Sequence, residues 1–267
     1  MKFLVVLISC VAAIWAKQIP AHAKSNNGLR IIGGQEARAG QFPFAAAITV
    51  QTETSQFFCG GALINNDWIL TSAHCVTGAV TVTIRLGSNN LQGSDPNRIT
   101  VASSHVVPHP EFDPDTSVND IGLVKLRMPV EFTDYIQPIN LASTPLPNSA
   151  APTAIGWGQT SDDDPEMSNG LNYVGLAVLS NEECRMVYGN QLTDDMVCVE
   201  GNFNERACLG DSGSPLVVRL IGGLFLQHVG VFSFYSGNGC ETTDPSGNTR
   251  TYAYIDWIRE TANITMF

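Results

Sequence analysis

The sequence predicts an all-β protein. From Ile31 onward, the chain consists of short apolar runs rich in β-branched residues, and Gly or Pro separates most of them. Such runs between turn signals are typical of strands, and their regular spacing favours a sandwich or a barrel. Only residues 254–261 read as a helix. A chain of 267 residues can bury the core of one large domain or of two small ones.

The predicted strands fall into two groups. They cover residues 45–50, 61–64, 68–71, 80–86, 121–126, 174–179, 215–220 and 230–234. A stretch rich in Pro and Ser, residues 138–152, separates the first five from the last three. This division indicates a crossover between two packed units.

The N-terminal 30 residues read as segments that are removed. Residues 1–16 have a basic start at Lys2, an apolar run and a small residue, Ala16, at the expected cleavage point, as a secretory signal peptide has. The run is shorter than the ~20 residues that a membrane-spanning helix needs. Residues 17–30 are polar and basic and read as an activation propeptide that ends at Arg30. The expected location is therefore extracellular.

Removal of residues 1–30 makes the chain strongly acidic. Residues 31–267 carry 10 basic and 25 acidic residues, a formal charge of −15, because Lys2, Lys17, Lys24 and Arg30 all precede them. Nucleic acids and anionic membranes would be repelled by this charge. Neither is expected as a partner.

The cysteines indicate disulfide bonds. Cys10 leaves with the signal peptide, and six remain: Cys59, Cys75, Cys184, Cys198, Cys208 and Cys240. An even number in a secreted chain favours disulfides, although the spacing alone leaves several connectivities open. A zinc site is disfavoured because neither paired C-x-x-C nor His-x3-His spacing occurs.

A serine, a histidine and an aspartate lie in contexts that point to nucleophilic catalysis. Ser212 lies between Gly210 and Gly213, which allow a tight turn that presents a bare hydroxyl. A serine needs a histidine as base and a carboxylate that orients it. His74 follows one apolar strand and Asp120 begins another. We therefore expect these three residues to converge.

The motifs around these residues resemble those of the chymotrypsin-like serine endopeptidases of the trypsin superfamily. Four occur together and in order: Ile31-Ile32-Gly33-Gly34, Thr71-Ser72-Ala73-His74-Cys75, Asn119-Asp120-Ile121 and Gly210-Asp211-Ser212-Gly213. The resemblance implies two six-stranded antiparallel β-barrels, near residues 31–140 and 150–252, with the active site in the cleft between them. A short helix near residues 254–262 would follow. The peptidase domain would span residues 31–267.

The resemblance also implies roles for the individual residues. Ser212 would be the nucleophile, His74 the general base and then the general acid, and Asp120 the carboxylate that fixes the imidazole tautomer. The backbone N–H groups of Gly210 and Ser212 would form the oxyanion hole. Disulfides would join Cys59 to Cys75, Cys184 to Cys198 and Cys208 to Cys240.

Activation is expected to link the N-terminus to the loop of the nucleophile. Cleavage after Arg30 would create an α-ammonium group on Ile31, and this group would insert and pair with Asp211. The uncut chain could not then complete its oxyanion hole.

The expected primary pocket departs from that of well-known members. Arg206 occupies its floor, where trypsins have an aspartate and chymotrypsins a serine, and this cation should repel Lys and Arg side chains. Either Arg206 selects acidic residues, or it turns outward onto Glu205 or Asp244 and leaves a small apolar pocket. The second alternative is favoured because most arginines lie at the surface.

Four further residues are expected at the substrate. Ser233, Phe234 and Tyr235 occupy the segment that resembles the substrate-pairing strand, and Ser246 lies on the opposite wall. Tyr235 replaces a common glycine, which suggests a shallow pocket closer to elastase-like and brachyurin-like arthropod enzymes. Residues 171–174 and 179–184 also resemble that group.

No cofactor is expected. The loop of residues 87–100, where trypsins bind calcium, offers Asp95 and no glutamate. The expected partners are protein or peptide substrates, an activating trypsin-like protease and protein inhibitors, and a monomer is the default.

The leading hypothesis is a secreted, zymogen-activated digestive endopeptidase. A venom, salivary or haemolymph protease with narrow targets is an alternative. A catalytically silent relative that binds proteins is another, although the complete set of three residues and Gly210 argue against it.

Overall fold

The structure is a computed structural model that describes residues 34–201, 207–220 and 225–264. The expected signal peptide and propeptide, Arg30, Ile31 and Arg206 lie outside these ranges. Their roles therefore stay predictions.

The first half of the chain forms a curled antiparallel sheet of seven strands in the order β6-β5-β2-β3-β4-β8-β7. The strands are β2 (Ala45–Gln51), β3 (Gln56–Leu63), β4 (Trp68–Thr71), β5 (Thr81–Leu86), β6 (Ile99–Ser103), β7 (His105–Pro108) and β8 (Gly122–Lys125). Along β5, buried and half-buried side chains alternate, as expected for a strand with one face on a core. Ile48, Ile69 and Ile84 are completely buried there.

The second half forms a nine-stranded sheet in the order β1-β13-β10-β16-β17-β18-β15-β14, with β9 pairing in parallel with β17. Its strands are β1 (Gln35–Glu36), β9 (Asn140–Leu141), β10 (Thr153–Gly156), β13 (Asn172–Gly175), β14 (Ala177–Leu179), β15 (Met196–Glu200), β16 (Pro215–Arg219), β17 (Leu226–Phe234) and β18 (Ser246–Arg250). A separate hairpin joins β11 (Gln159–Ser161) to β12 (Asp164–Met167).

The two-barrel prediction is confirmed, and the strand counts have a simple origin. One residue, Ser104, separates β6 from β7, and one residue, Leu176, separates β13 from β14, so each pair is a single strand bent at a corner. The two-residue strands β1 and β9 are additions at the second sheet. Without them, each half contains six strands.

Three α-helices are present among the described residues: α1 (Ala73–Val76), α2 (Asn181–Tyr188) and α3 (Ile255–Ala262). The predicted C-terminal helix is confirmed as α3, which a 3-10 turn at Thr251–Tyr254 precedes. Helices α1 and α2 were not predicted, although α2 has a start signal in the sequence. Its signal was a capping box, in which the Ser180 hydroxyl accepts from Glu183 N–H while the Glu183 carboxylate accepts from Ser180 N–H.

His228 is a buried histidine that makes stability depend on pH. It lies on β17 with no exposed surface, its Nδ1 is 2.7 Å from Thr251 Oγ1, and burial lowers its pKa to about 3. Below pH ~6.5, the unfolded chain binds a proton at this position and the native state does not. Stability must therefore fall as the pH drops from ~6.5 towards 3, by about 1.4 kcal/mol per pH unit over most of that range.

We expect His228→Gln to lose less stability than the wild type between pH 7 and pH 4, because glutamine does not titrate. Urea denaturation at both pH values measures the difference. His105→Gln, at an exposed histidine, is the control and should keep the wild-type dependence. An unchanged pH dependence in His228→Gln would show that the buried ring does not control acid stability.

Candidate active site

His74 and Asp120 form a direct pair at the edge of the first sheet. Strand β4 ends at Thr71 and leads into α1, which carries His74, while Asp120 lies two residues before β8. The Asp120 carboxylate is completely buried and accepts from His74 N–H at 2.9 Å. Its other oxygen lies 2.7 Å from His74 Nδ1. This geometry engages Nδ1 with Asp120 and leaves Nε2 as the ring nitrogen available for proton transfer.

Ser233 supplies a further hydrogen bond to this pair. Its hydroxyl is buried and donates to Asp120 Oδ2 at 2.5 Å. The Asp120 main-chain carbonyl accepts from Thr249 Oγ1 at 2.8 Å. Sequence reasoning placed Ser233 only at the substrate and did not find the contact with Asp120, because the two residues are 113 positions apart.

Ser212 lies on a tight loop between two glycines with positive φ. Gly210 has φ +91° and Gly213 has φ +77°, a region that side chains rarely adopt. A Cβ on Gly213 would lie 2.1 Å from Thr71 Oγ1 and 2.6 Å from the Gly60 carbonyl. The loop therefore packs against the first sheet only because this residue is glycine.

The two halves of the molecule are joined at the loop that contains Ser212. Gly60 on β3 donates its N–H to the Ser212 carbonyl at 2.7 Å. A Cβ on Gly60 would overlap Ser214 Oγ at 1.9 Å, so this contact also requires glycine. The position of Ser212 relative to His74 thus depends on the docking of the two sheets.

Ser212 and His74 line one cavity of about 300 Å³. No hydrogen bond within 3.5 Å joins Ser212 Oγ to the ring, and Nε2 instead lies 3.5 Å from the buried Ser72 hydroxyl. Resting-state contacts of this kind are often long and shorten when substrate binds. In the described ranges, neither Gly210 N–H nor Ser212 N–H donates to the protein. Both donors are therefore free for a ligand.

Asp211 is a buried carboxylate held by backbone donors. It is 1% exposed and accepts from Gly158 N–H at 2.8 Å and Cys208 N–H at 2.9 Å. Burial raises its pKa to about 6, against these two hydrogen bonds, which lower it. No Lys, Arg or His of the described ranges forms a salt bridge with it. A carboxylate in this position would be stabilised by an added cation.

The other expected substrate residues lie around the second sheet. The Phe234 ring contacts Tyr188, with ring centroids 5.1 Å apart, and lies over Gly247, where a Cβ would approach it to 2.1 Å. Tyr235 is partly buried against the Cys208–Cys240 disulfide. Ser246 is buried at the start of β18. None of these residues lines the cavity that contains Ser212 and His74.

The six cysteines form three disulfides in the structure. Cys59 pairs with Cys75, Cys184 with Cys198 and Cys208 with Cys240. The first fixes the chain beside His74, and the third fixes the start of the Ser212 loop. Two groups in the described ranges bring potential metal ligands together, Cys59 with His74 and Cys75, and Asp162 with Cys208 and Cys240. Their sulfurs are already in disulfides, so neither group provides the thiolates that bind metals.

Two curled antiparallel sheets, with a histidine–aspartate pair on one and a glycine-flanked serine on the other, define the architecture of chymotrypsin-like proteins. The family model described as Trypsin matches residues 31–258. The chain belongs to the trypsin family of serine proteases.

Curated relatives match over most of their length. A collagenase of Hypoderma lineatum is 37% identical over 270 residues, 99% of each chain. Brachyurin of Leptuca pugilator is 35% identical and covers 88% of this chain and 100% of its own. Trypsin II-P29 of Gallus gallus is 34% identical over 98% of each chain.

The solved structure of HL collagenase is also similar, with a TM-score of 0.79, 37% identity, and coverage of 88% of this chain and 100% of its own. Within the described ranges, no helix is both long and apolar enough to cross a membrane.

Proposed function

We propose that the protein is a secreted serine endopeptidase that hydrolyses peptide bonds through an acyl-enzyme at Ser212. The observation that carries this proposal is the His74–Asp120 pair, with 2.7 Å between Nδ1 and Oδ2, whose histidine lines the same cavity as Ser212. Membership of the trypsin family supports the same reaction.

The proposed reaction has two stages. His74 Nε2 accepts the proton of Ser212 as its oxygen attacks the substrate carbonyl, and Asp120 stabilises the imidazolium that forms. The free N–H groups of Gly210 and Ser212 bind the oxyanion. His74 then protonates the leaving amine, and a water molecule, activated by the same ring, hydrolyses the acyl-enzyme.

The proposed activation step is cleavage after Arg30. The new Ile31 ammonium would pair with Asp211, whose buried carboxylate has backbone donors and no cation among the described residues. Since Asp211 lies between Gly210 and Ser212 in the chain, its position would control both oxyanion donors. A digestive role is proposed with this mechanism, and the name collagenase of one relative supports a protease that degrades proteins.

We expect substrates with Lys or Arg before the scissile bond to be poor. If Arg206 lies at the floor of the primary pocket, it would repel them and select acidic residues, and if it turns outward, a small apolar pocket would exclude them. A positional-scanning peptide library measures this preference, and Arg206→Ser is the matched variant, which should reduce the discrimination against Lys and Arg only if Arg206 lies at the floor. A dominant preference of the wild type for Lys or Arg would contradict the proposed pocket.

An organophosphorus fluoride tests the proposed function. Protein cut at Arg30 should be labelled at Ser212, as located by peptide mass spectrometry, and uncut protein should not be labelled. Denatured cut protein is the control for non-specific reaction. Absence of label at Ser212 in folded, cut protein would favour a binding protein over an enzyme.

A further inference from the structure

An apolar cavity lies beside Ser212. Its wall includes Ser212, His74, Phe58, Cys59, Met167 and Leu209. Leu209 is 51% exposed, so an apolar surface is open to solvent beside the nucleophile. A volume of about 300 Å³ gives room for a large side chain.

The chemistry of the proposed reaction places this cavity on the leaving-group side. The leaving amine receives its proton from His74 Nε2. The cavity is lined by His74 and Cys59 and by none of the described residues expected at the primary pocket, which takes the side chain before the scissile bond. The residue that follows the scissile bond would therefore meet Phe58, Met167 and Leu209.

Met167 lies directly over the loop of the oxyanion donors. It is the last residue of β12 and pairs with Gln159, whose N–H donates to the Leu209 carbonyl at 2.8 Å. A Cβ built on Gly210 would lie 3.1 Å from Met167 Sδ. Met167 is also 39% exposed. Its thioether thus lies over Gly210, in a residue that is partly open to solvent.

We propose, on the basis of the function proposed above, that Met167 is an oxidation site that controls the leaving-group preference of the enzyme. Hydrogen peroxide is the oxidant. The Sδ lone pair attacks one peroxide oxygen, the O–O bond breaks, the sulfur becomes a sulfoxide, and the peroxide is reduced to water. The product carries a polar oxygen where the cavity had an apolar thioether.

The sulfoxide has a selective effect on substrates. A large apolar side chain in the cavity would desolvate the new oxygen without giving it a hydrogen bond, which is unfavourable. A glycine after the scissile bond leaves the cavity open to water and escapes this cost. Oxidation therefore lowers activity on one class of substrate rather than on all.

Three other methionines of the described ranges provide controls, and Met266 lies outside those ranges. Met128 and Met186 are 69% and 80% exposed and do not line the cavity, whereas Met196 is buried. The double variant Met128→Leu, Met186→Leu should respond to peroxide as the wild type does. Met167→Leu keeps an apolar side chain without a sulfur and should not respond.

The experiment compares kcat/KM for two peptides, with leucine or glycine after the scissile bond, before and after peroxide. Cut wild-type protein should lose about ten-fold on the leucine peptide and little on the glycine peptide. Peptide mass spectrometry should find one added oxygen at Met167. Each variant is compared with its own untreated activity.

Three outcomes would overturn the proposal: an equal loss on both peptides, the same selective loss in Met167→Leu, or no loss when Met167 is fully oxidised. If Ser212 is labelled before peroxide treatment, the proposed function holds. Any of the three outcomes then overturns the oxidation proposal alone. Without labelling or hydrolysis at the start, both proposals are overturned.

Discussion

Ser212→Ala should lower kcat for peptide hydrolysis by about 10⁶-fold, because no acyl-enzyme can form without the hydroxyl. His74→Ala should cost a similar factor, since the serine would have no base, and the double variant should be little worse than either single variant. Single-turnover assays on protein cut at Arg30 provide the measurement. The two free N–H donors stay in place in these variants, so a small residual rate over water is expected.

Asp120→Asn tests how much the His74–Asp120 pair contributes to kcat. The asparagine keeps the size of the side chain but favours the wrong imidazole tautomer, so kcat should drop by about 10⁴-fold. Ser214→Ala, at a buried neighbour on the same loop that does not line the cavity, should keep most of the activity. If Ser212→Ala retained more than a few per cent of the activity, the assignment of the nucleophile would be wrong.

Arg30→Gln should remain inactive in the presence of trypsin, whereas the wild type becomes active. The variant cannot release the Ile31 ammonium, and Asp211 then keeps a buried charge without a partner, a state that typically costs about 3–5 kcal/mol. The oxyanion loop would not reach its active arrangement. Hydrolysis of a chromogenic peptide after trypsin is inhibited measures the outcome, and Arg38→Gln, at an exposed arginine, is the control that should activate normally.

The pH dependence of stability gives a second readout for the same variant. Asp211 has a pKa of about 6 in the fold and an ordinary value of 3.8. A raised carboxyl pKa favours the folded state when the group is protonated, and this contribution is lost as the pH rises through about 6. Uncut Arg30→Gln should therefore lose stability as the pH rises from 3.8 to about 6. Cut wild type should not. Full activity of Arg30→Gln after trypsin treatment would contradict the activation mechanism.

The sequence predicted strands because apolar alternation and turn residues are local signals, as β5 illustrates, whereas the two-barrel arrangement was implied by the resemblance to chymotrypsin-like enzymes. Helix α2 was missed although Ser180 and Glu183 form a capping box, because this short segment stands among strands. The bends at Ser104 and Leu176 were not predictable, since they depend on the closure of each barrel.

Motif context was sufficient to nominate His74, Asp120 and Ser212 as candidates. The sequence could not show that the Ser233 hydroxyl contacts Asp120, or that Met167 lies over Gly210, because both contacts join distant segments. Likewise, Gly60 is ordinary in sequence, and Gly213 was expected to allow a tight turn but not to pack against the first sheet. Their requirement becomes visible only where the two sheets meet.

The distance from Ser212 Oγ to His74 Nε2 in a crystal structure of the protein cut at Arg30 tests the central claim most directly. We expect the two atoms to lie about 2.6–3.2 Å apart, with the Asp120 contact to Nδ1 preserved and the Ile31 ammonium beside Asp211. A cut protein in which the hydroxyl and the ring stay out of hydrogen-bonding reach, even with a substrate analogue bound, would contradict the proposed hydrolysis.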